Sequence, residues 1–434
     1  MILRDPIHGL VTFESEEDAI VTRLLATREV QRLRRIRQLG LTSFAFPGAE
    51  HTRFSHAIGA AHVMKLFLAR LRQIDGDLPF WQRVTSERAR DAIAAAFLHD
   101  VGHGPLSHLF EEALPGGQHH EAWSEQILLD PSSEVHRVLI GDDPYLPQRV
   151  ADLVKGKHAL PYLAKAVSGT FDVDRCDYLL RDAYSTGVGY GHYDLPWLLR
   201  SLRFDDGSGK PGSPGPGLAI DGDKGMAAIE AFLFARLFMF QQVYFHKSTR
   251  SAEWMIGAIL RRAVAELRDG TRLPSVPPGF AEVAAGDSPT LGQYLELDDQ
   301  VLLGAIHAWE DGPDPVLADL CRRLRRRALF KTIELFPRRD EGKGPLAPDE
   351  ALALAREIAK GAGLDPEVYV GLDQASDTPY DDDDSLTVVF PRGRPRRPSD
   401  VSFLLARLRD ETITRTRVIF APELREAMRE ALIR

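Results

Sequence analysis

Cysteine is scarce: Cys176 and Cys321 are the two in 434 residues. That excludes a small disulfide-stapled scaffold and fits a reducing cytoplasm. An excess of positive charge is also missing. Fifty-four Lys and Arg stand against 63 Asp and Glu, a net charge of −9. This argues against a chain that coats nucleic acid, so nucleic-acid binding is not indicated. It does not exclude a small polyphosphate, which needs only a local cluster of cations. No window reads as the roughly 18 apolar residues that span a bilayer, so no membrane partner is expected. The start, Met-Ile-Leu-Arg-Asp-Pro, lacks a charged segment followed by a long apolar one, so no secretory signal is expected. No internal repeat of about 20–50 residues is found.

What is present is the composition of a folded globular chain, 44% apolar and 27% charged. The length suggests two or three core-forming units of roughly 100–200 residues each. Apolar residues recur at three and four from Ser55 to Ala69. The run from Ser86 to Leu98 opens on a capping serine and is almost wholly apolar up to His99-Asp100. Such a helix is buried, so its end carries His99 and Asp100 inward. A Gly-, Pro- and Ser-rich breaker at 205–217 precedes a short strand at 218–220 and a long helix at about 224–267. Helices are predicted near 291–310 and 314–330, strands at 368–370, 386–390 and 416–420, and a last helix opened by Pro422. The expected fold is mainly α with a smaller α+β C-terminal lobe, divided as 1–204, 205–336 and 337–434. The acid run 381–384 and the basic run 392–397 read as solvated loops.

Histidine is unevenly distributed. There are fourteen, yet the window 99–120 holds five: His99, His103, His108, His119 and His120. Asp100, Glu111, Glu112 and Glu121 lie among them. Imidazole and carboxylate together serve as divalent-metal ligands and as proton-transfer groups near neutral pH. Upstream, Arg53-Phe54-Ser55-His56 places a histidine at a helix start. Downstream, Asp174, Tyr178 and Asp182 share one helical face at i, i+4, i+8. Two acids and a phenol on one face suit a metal and hydroxyl groups better than a packing seam. Cys176, inside this stretch, reads as a buried thiol.

His56, His99-Asp100 and Asp174 give the H…HD…D pattern of HD-domain metal-dependent phosphohydrolases. The chain resembles the deoxynucleoside triphosphate triphosphohydrolase branch of that family. The resemblance rests on DPIHG at 5–9, QRLRRIRQLG at 31–40, FPGAEHTRFSHAIG at 46–59, LHDVGHGPLSHLFE at 98–111, HEAWSEQIL at 120–128, DVDRCDYLLRD at 172–182 and VYFHKSTRSAE at 243–253. These runs cover about residues 1–265; residues 337–434 match far less well.

The resemblance implies the following roles. His56, His99, Asp100 and Asp174 would hold a divalent metal ion (Mn, Mg, Fe, Zn or Ni). Water would attack the α-phosphorus of a dNTP and release deoxynucleoside and triphosphate. His103, His108 and His120 would face the triphosphate, with His108, oriented by Glu111, protonating the 5′-oxygen and His120 the competing candidate. Arg53 and Arg175 would neutralise phosphate, Arg175 standing where the family usually has lysine. Gln38 and Leu39 would pack on the sugar and exclude a 2′-hydroxyl, with Tyr178 and Asp182 completing the sugar site. Tyr244, His246, Lys247 and Arg250 would border substrate or an effector nucleotide. Members activated by a guanine nucleotide carry an acid where this chain has Ala26, which disfavours that activator. A homo-oligomer is expected. The alternative substrates are a monophosphate, a signalling or modified nucleotide, or a nucleic-acid end.

Overall fold

The structure is a computed structural model that describes residues 1–107, 111, 118–205, 215–335, 346–380 and 386–433. His108, the breaker from 206 to 214 and the acid run at 381–384 lie outside the described residues. The fold is mainly α, with three small sheets among the described residues. The helix Arg53–Ile74 buries Ala57, Gly59, Ala60 and Ala61, and Gly59 faces the helix Val173–Thr186 that packs on it. Small residues there let the backbones approach. A methyl group on Gly59 would overlap the Asp177 carboxylate and the Arg181 guanidinium. Phe67 extends the contact, its ring 5.9 Å from that of Phe171. Each such fully buried side chain contributes about 1.5–3 kcal/mol.

The helix Ser86–Leu98 packs on Arg53–Ile74 and is buried almost throughout from Ala89 onward. Its cap is Thr85 rather than Ser86: the Thr85 hydroxyl accepts from the Arg88 N–H at 3.3 Å. The chain then turns through Gly102, where a side chain would overlap the Ser124 nitrogen and the His120 carbonyl of the helix His120–Leu129. Leu106 and Ser107 follow in left-handed conformation, φ 55° and 61°. Val173–Thr186 opens on Asp172, whose carboxylate accepts from the Arg175 N–H at 2.8 Å, and closes on left-handed Gly187.

The helix expected at 224–267 is divided. Met226–Met239 runs into a π turn, Phe240–Tyr244, and a separate helix, Lys247–Arg268, begins after His246. The His246 ring accepts from the Ser248 N–H at 3.3 Å and caps the second helix, which is what breaks the run. The stretch Met226–Tyr244 is, against expectation, long and apolar enough by composition to cross a bilayer. Its apolar residues Ile229, Phe232, Leu233 and Met239 are buried inside the protein. Its Arg236 bonds Asp377 and the carbonyls of Thr378 and Pro379. The helix expected at 291–310 is also divided, into Leu291–Leu295 and Asp299–Trp309, because Asp298 accepts from the Gln300 and Val301 N–H groups and starts a new turn.

Ile2–Asp5 and Gly9–Thr12 form an antiparallel hairpin that the sequence pattern does not announce. Leu202–Asp205 pairs with Gly217–Asp221, which takes Thr387–Val389 in parallel on its other edge. Lys331–Glu334 and Val370–Asp377 flank Ile413–Phe420. The sheets therefore join residues on both sides of the 204/205 and 336/337 boundaries.

Candidate metal centre and adjoining cavity

His56 lies in the first turn of Arg53–Ile74, His99 caps the end of Ser86–Leu98, and Asp174 lies in the first turn of Val173–Thr186. Three elements distant in sequence thus meet at one point. The His56 and His99 Nε2 atoms are 3.2 Å apart. Asp174 Oδ1 stands 3.0 Å from the first and 3.4 Å from the second. Ligand atoms of the three residues all lie within 4.8 Å of one another. Asp100 adds Oδ1 at 3.4 Å from His99 Nε2 and Oδ2 at 3.8 Å from His56 Nε2. Its carboxylate is also bonded by Arg53 and lies 3.2 Å from His103 Nε2.

The far side of each ring decides what the near side can do. His56 Nδ1 faces Asp177 Oδ2 at 2.8 Å, and His99 Nδ1 faces the Ala96 carbonyl at 2.9 Å. Both partners only accept, so both Nδ1 atoms carry the proton. In the neutral rings the two Nε2 lone pairs then point at each other and at carboxylate oxygens. Without a cation this arrangement draws protons. Burial opposes charging His56, but Asp174 and Asp177 outweigh it and lift its pKa to about 10. His99 is lifted to about 8, with burial opposed by Asp100 and Asp174. Burial works against the Asp174 anion, yet His56 and His99 hold its pKa below the usual range. Two oriented imidazoles and surplus carboxylate fit a divalent cation, which replaces the protons and leaves each ring anchored from behind.

Beside this set, the His103 and His120 rings stack at 3.8 Å. Glu111 lies 3.2 Å from His120 Nδ1 and 3.9 Å from His103 Nδ1. Burial and the Arg53 charge push the His103 pKa well down. On the other side, a cavity of about 440 Å³ is lined by Gln38, Leu39, Arg53, Tyr178, Asp182, Tyr244 and Arg250, among others. Asp182 accepts from the Tyr244 hydroxyl at 2.7 Å and bonds His51 Nε2 at 2.7 Å. Gln38 Oε1 is buried with no partner among the described residues.

A family model described as the HD domain matches residues 53–182. The uncharacterized protein YwfO of Bacillus subtilis is 38% identical over 383 residues, covering 88% of this chain and 81% of that one. The chain belongs to the HD-domain dNTPase-like family. A Dictyostelium discoideum protein named as a homolog of the deoxynucleoside triphosphate triphosphohydrolase SAMHD1 is 34% identical over 84% of this chain, which spans 65% of that protein. A Bacteroides thetaiotaomicron phosphohydrolase of known crystal structure superposes with a TM-score of 0.80 at 26% identity, covering 97% of this chain and 99% of that one. The HD-domain match and the phosphohydrolase likeness make the chain a hydrolase.

The structure of this HD-domain chain brings together His56, His99 and Asp174, sets Asp100 and Arg53 at their edge, and groups His103, Glu111 and His120. Four expected residues are engaged elsewhere, among them His246, whose ring caps Lys247–Arg268 and does not line the cavity of about 440 Å³. Arg175 is tied to Asp172 and to the Gly169 carbonyl. Arg250 lines the cavity, but its guanidinium bonds Asp373 at 2.6 Å and Glu253 at 2.7 Å. Lys247 lines a second cavity, of about 390 Å³, with Arg327, Lys331, Arg425 and Arg429. Sequence reasoning gives no role to His51, Ser107, Asp177 or Asp299. Ser107 Oγ accepts from Arg53 at 2.7 Å. Asp299 accepts from the Leu106 N–H at 2.8 Å and the Arg37 N–H at 3.0 Å, pinning the two segments that carry the cavity wall. Asp177 is the one a sequence signal could have found: it sits three residues after Asp174, on the neighbouring face of the same helix.

Proposed function

We propose that this chain hydrolyses deoxynucleoside triphosphates to deoxynucleoside and inorganic triphosphate. The observation that carries the reading is the adjacency of the cation-ready set His56, His99 and Asp174 to a cavity of about 440 Å³ whose buried amide oxygen, Gln38 Oε1, awaits a donor. The names of the SAMHD1-type relatives point the same way.

His56, His99 and Asp174, with Asp100 at their edge, would hold the metal. A bound divalent ion supplies Lewis acidity toward a phosphoryl oxygen and lowers the pKa of water. Arg53, buried beside Asp100 and Ser107, is the cation in place for phosphate. Arg175 would have to leave Asp172 to help. Gln38 Oε1 accepts from a sugar hydroxyl, and Asp182 has one lone pair left on each oxygen beyond His51 and Tyr244. Leu39 closes the wall against a 2′-hydroxyl. Among the described residues, His120 backed by Glu111 is the proton donor to the leaving 5′-oxygen; His108 is its rival. The cationic cavity around Lys247 and Arg327 suits an anionic effector. The two cysteines are free and buried, in keeping with a cytoplasmic setting.

The test is an assay of purified protein with each dNTP and rNTP and Mn²⁺ or Mg²⁺, singly and mixed, with products separated by ion-pair chromatography. Intact triphosphate from dNTPs alone is expected. Absence of triphosphate under every combination would move the substrate to a monophosphate or another nucleotide.

A further inference from the structure

Behind His56, on the side away from the substrate cavity, lies a second set of contacts. The Asp177 carboxylate is fully buried and accepts four bonds. His56 Nδ1 and Arg181 Nε reach Oδ2, each at 2.8 Å. Arg181 Nη2 reaches Oδ1 at 2.8 Å, and His8 Nε2 reaches the same oxygen at 2.6 Å. Arg181 continues through Nη1 to Asp5 Oδ2 at 2.8 Å. The other Asp5 oxygen accepts the backbone N–H groups of Ile7 and His8 at 2.9 and 3.0 Å. The turn between the first two strands is therefore wrapped around one acid and delivers His8 to another.

Two features of this set exceed what a structural tie needs. Asp5 and Asp177 bring two negative charges against the single positive charge of Arg181, leaving a surplus against the His56 N–H. Also, the two imidazoles divide one carboxylate, one per oxygen. Fixing that carboxylate fixes the plane of the His56 ring, and the ring plane aims the Nε2 lone pair at Asp174 and His99. His8 lies outside the 53–182 match. It lines a separate cavity of about 590 Å³ with His62, whose ring is 5.2 Å away, so it forms no wall of the substrate cavity.

We infer that His8 is a positioning residue for the metal centre: through Asp177 it sets the orientation and basicity of His56, making the N-terminal hairpin part of the site. This rests on the metal-centre reading above. The experiment titrates metal-free protein with Mn²⁺ by calorimetry, records the visible spectrum of the Co²⁺ form, and melts the metal-free protein. His8→Leu is expected to weaken Mn²⁺ binding about tenfold, the low end for outer partners of metal ligands, and to shift the Co²⁺ bands. His8→Gln, whose amide N–H can reach Asp177 Oδ1, is expected to recover both. An unchanged Mn²⁺ affinity and Co²⁺ spectrum in His8→Leu, with only a lower melting temperature, would overturn the inference. Should His8→Leu fail to fold, Asp5→Asn, which loosens the turn but keeps the imidazole, is expected to weaken Mn²⁺ binding in the same direction; unchanged binding there overturns it equally. A wild-type chain that takes up no Mn²⁺ would remove the metal centre itself, and the inference with it.

Discussion

The helix Val173–Thr186 carries aspartates on two faces, and their fates differ. Asp177 has every acceptor position filled by protein donors: two imidazoles and the Nε and Nη2 groups of Arg181. Asp174, in the preceding turn, faces two ring nitrogens that, in the neutral rings, present lone pairs because the protons sit on the far sides. The residue type and the helix are the same. A carboxylate saturated by N–H groups is a piece of structure, whereas one confronted with lone pairs is short of a cation. Asp182 stands between these cases, half satisfied by His51 and Tyr244 and open to the cavity.

The contrast can be broken from either face. Asp174→Ala should abolish Mn²⁺ uptake and lower turnover by more than about a thousandfold, the several kcal/mol a Lewis-acid metal supplies. Its circular dichroism should stay near wild type and its melting should fall less than that of a variant at Asp177; retained activity would end the assignment of Asp174. Asp177→Ala should do the reverse in emphasis, because it strands Arg181 and His8 in the interior. A loss of about 3–5 kcal/mol in urea unfolding is expected, as when one partner of a buried ion pair is removed. Equal stability of the two variants would erase the distinction between the faces.

Proton linkage sharpens it further. In metal-free protein the pKa values of about 10 for His56 and about 8 for His99 lie above the ordinary 6.5. The folded chain thus holds these protons more tightly than the unfolded one. Their contribution to stability is fully present below about pH 6.5 and is lost as pH rises through about 8 and then 10. Melting of EDTA-treated protein should therefore fall from pH 7 to 10, and fall less with Mn²⁺ present, since the cation takes the protons' place. Identical pH profiles with and without Mn²⁺ would contradict that replacement.

Smaller effects belong to the cavity. Leu39→Gly should raise activity on ribonucleotides relative to deoxyribonucleotides by about tenfold to a hundredfold, the range in which an apolar wall rejects a hydroxyl. An unchanged dGTP-to-GTP ratio would remove Leu39 from sugar selection. Tyr244→Phe deletes one hydrogen bond to Asp182 and should cost about 1 kcal/mol, read as a modest rise in KM.

Much of the centre is legible in the order of residues alone. The crowding of histidines at 99–120 and the i, i+4, i+8 spacing of Asp174, Tyr178 and Asp182 are local signals, because helical period and helix ends are set by near neighbours. The same logic places the buried helix that delivers His99. Local signals also mislead. Periodicity runs through 240–246, where a π turn and the His246 cap divide the helix, and Ser86 looks like a cap one residue after the real one.

Which groups carry the chemistry and which helices present them follow from residue type and short-range geometry, and so are legible in the order of residues. How those groups are charged and aimed follows from contacts between distant parts of the chain. His8 meets Asp177, Asp299 meets Leu106, and the strand Gly217–Asp221 meets Thr387–Val389 across long stretches of chain. No period of three or four residues encodes such meetings. They arise when small residues such as Gly59 allow two helices to close and leave buried polar atoms to find partners wherever the folded chain supplies them.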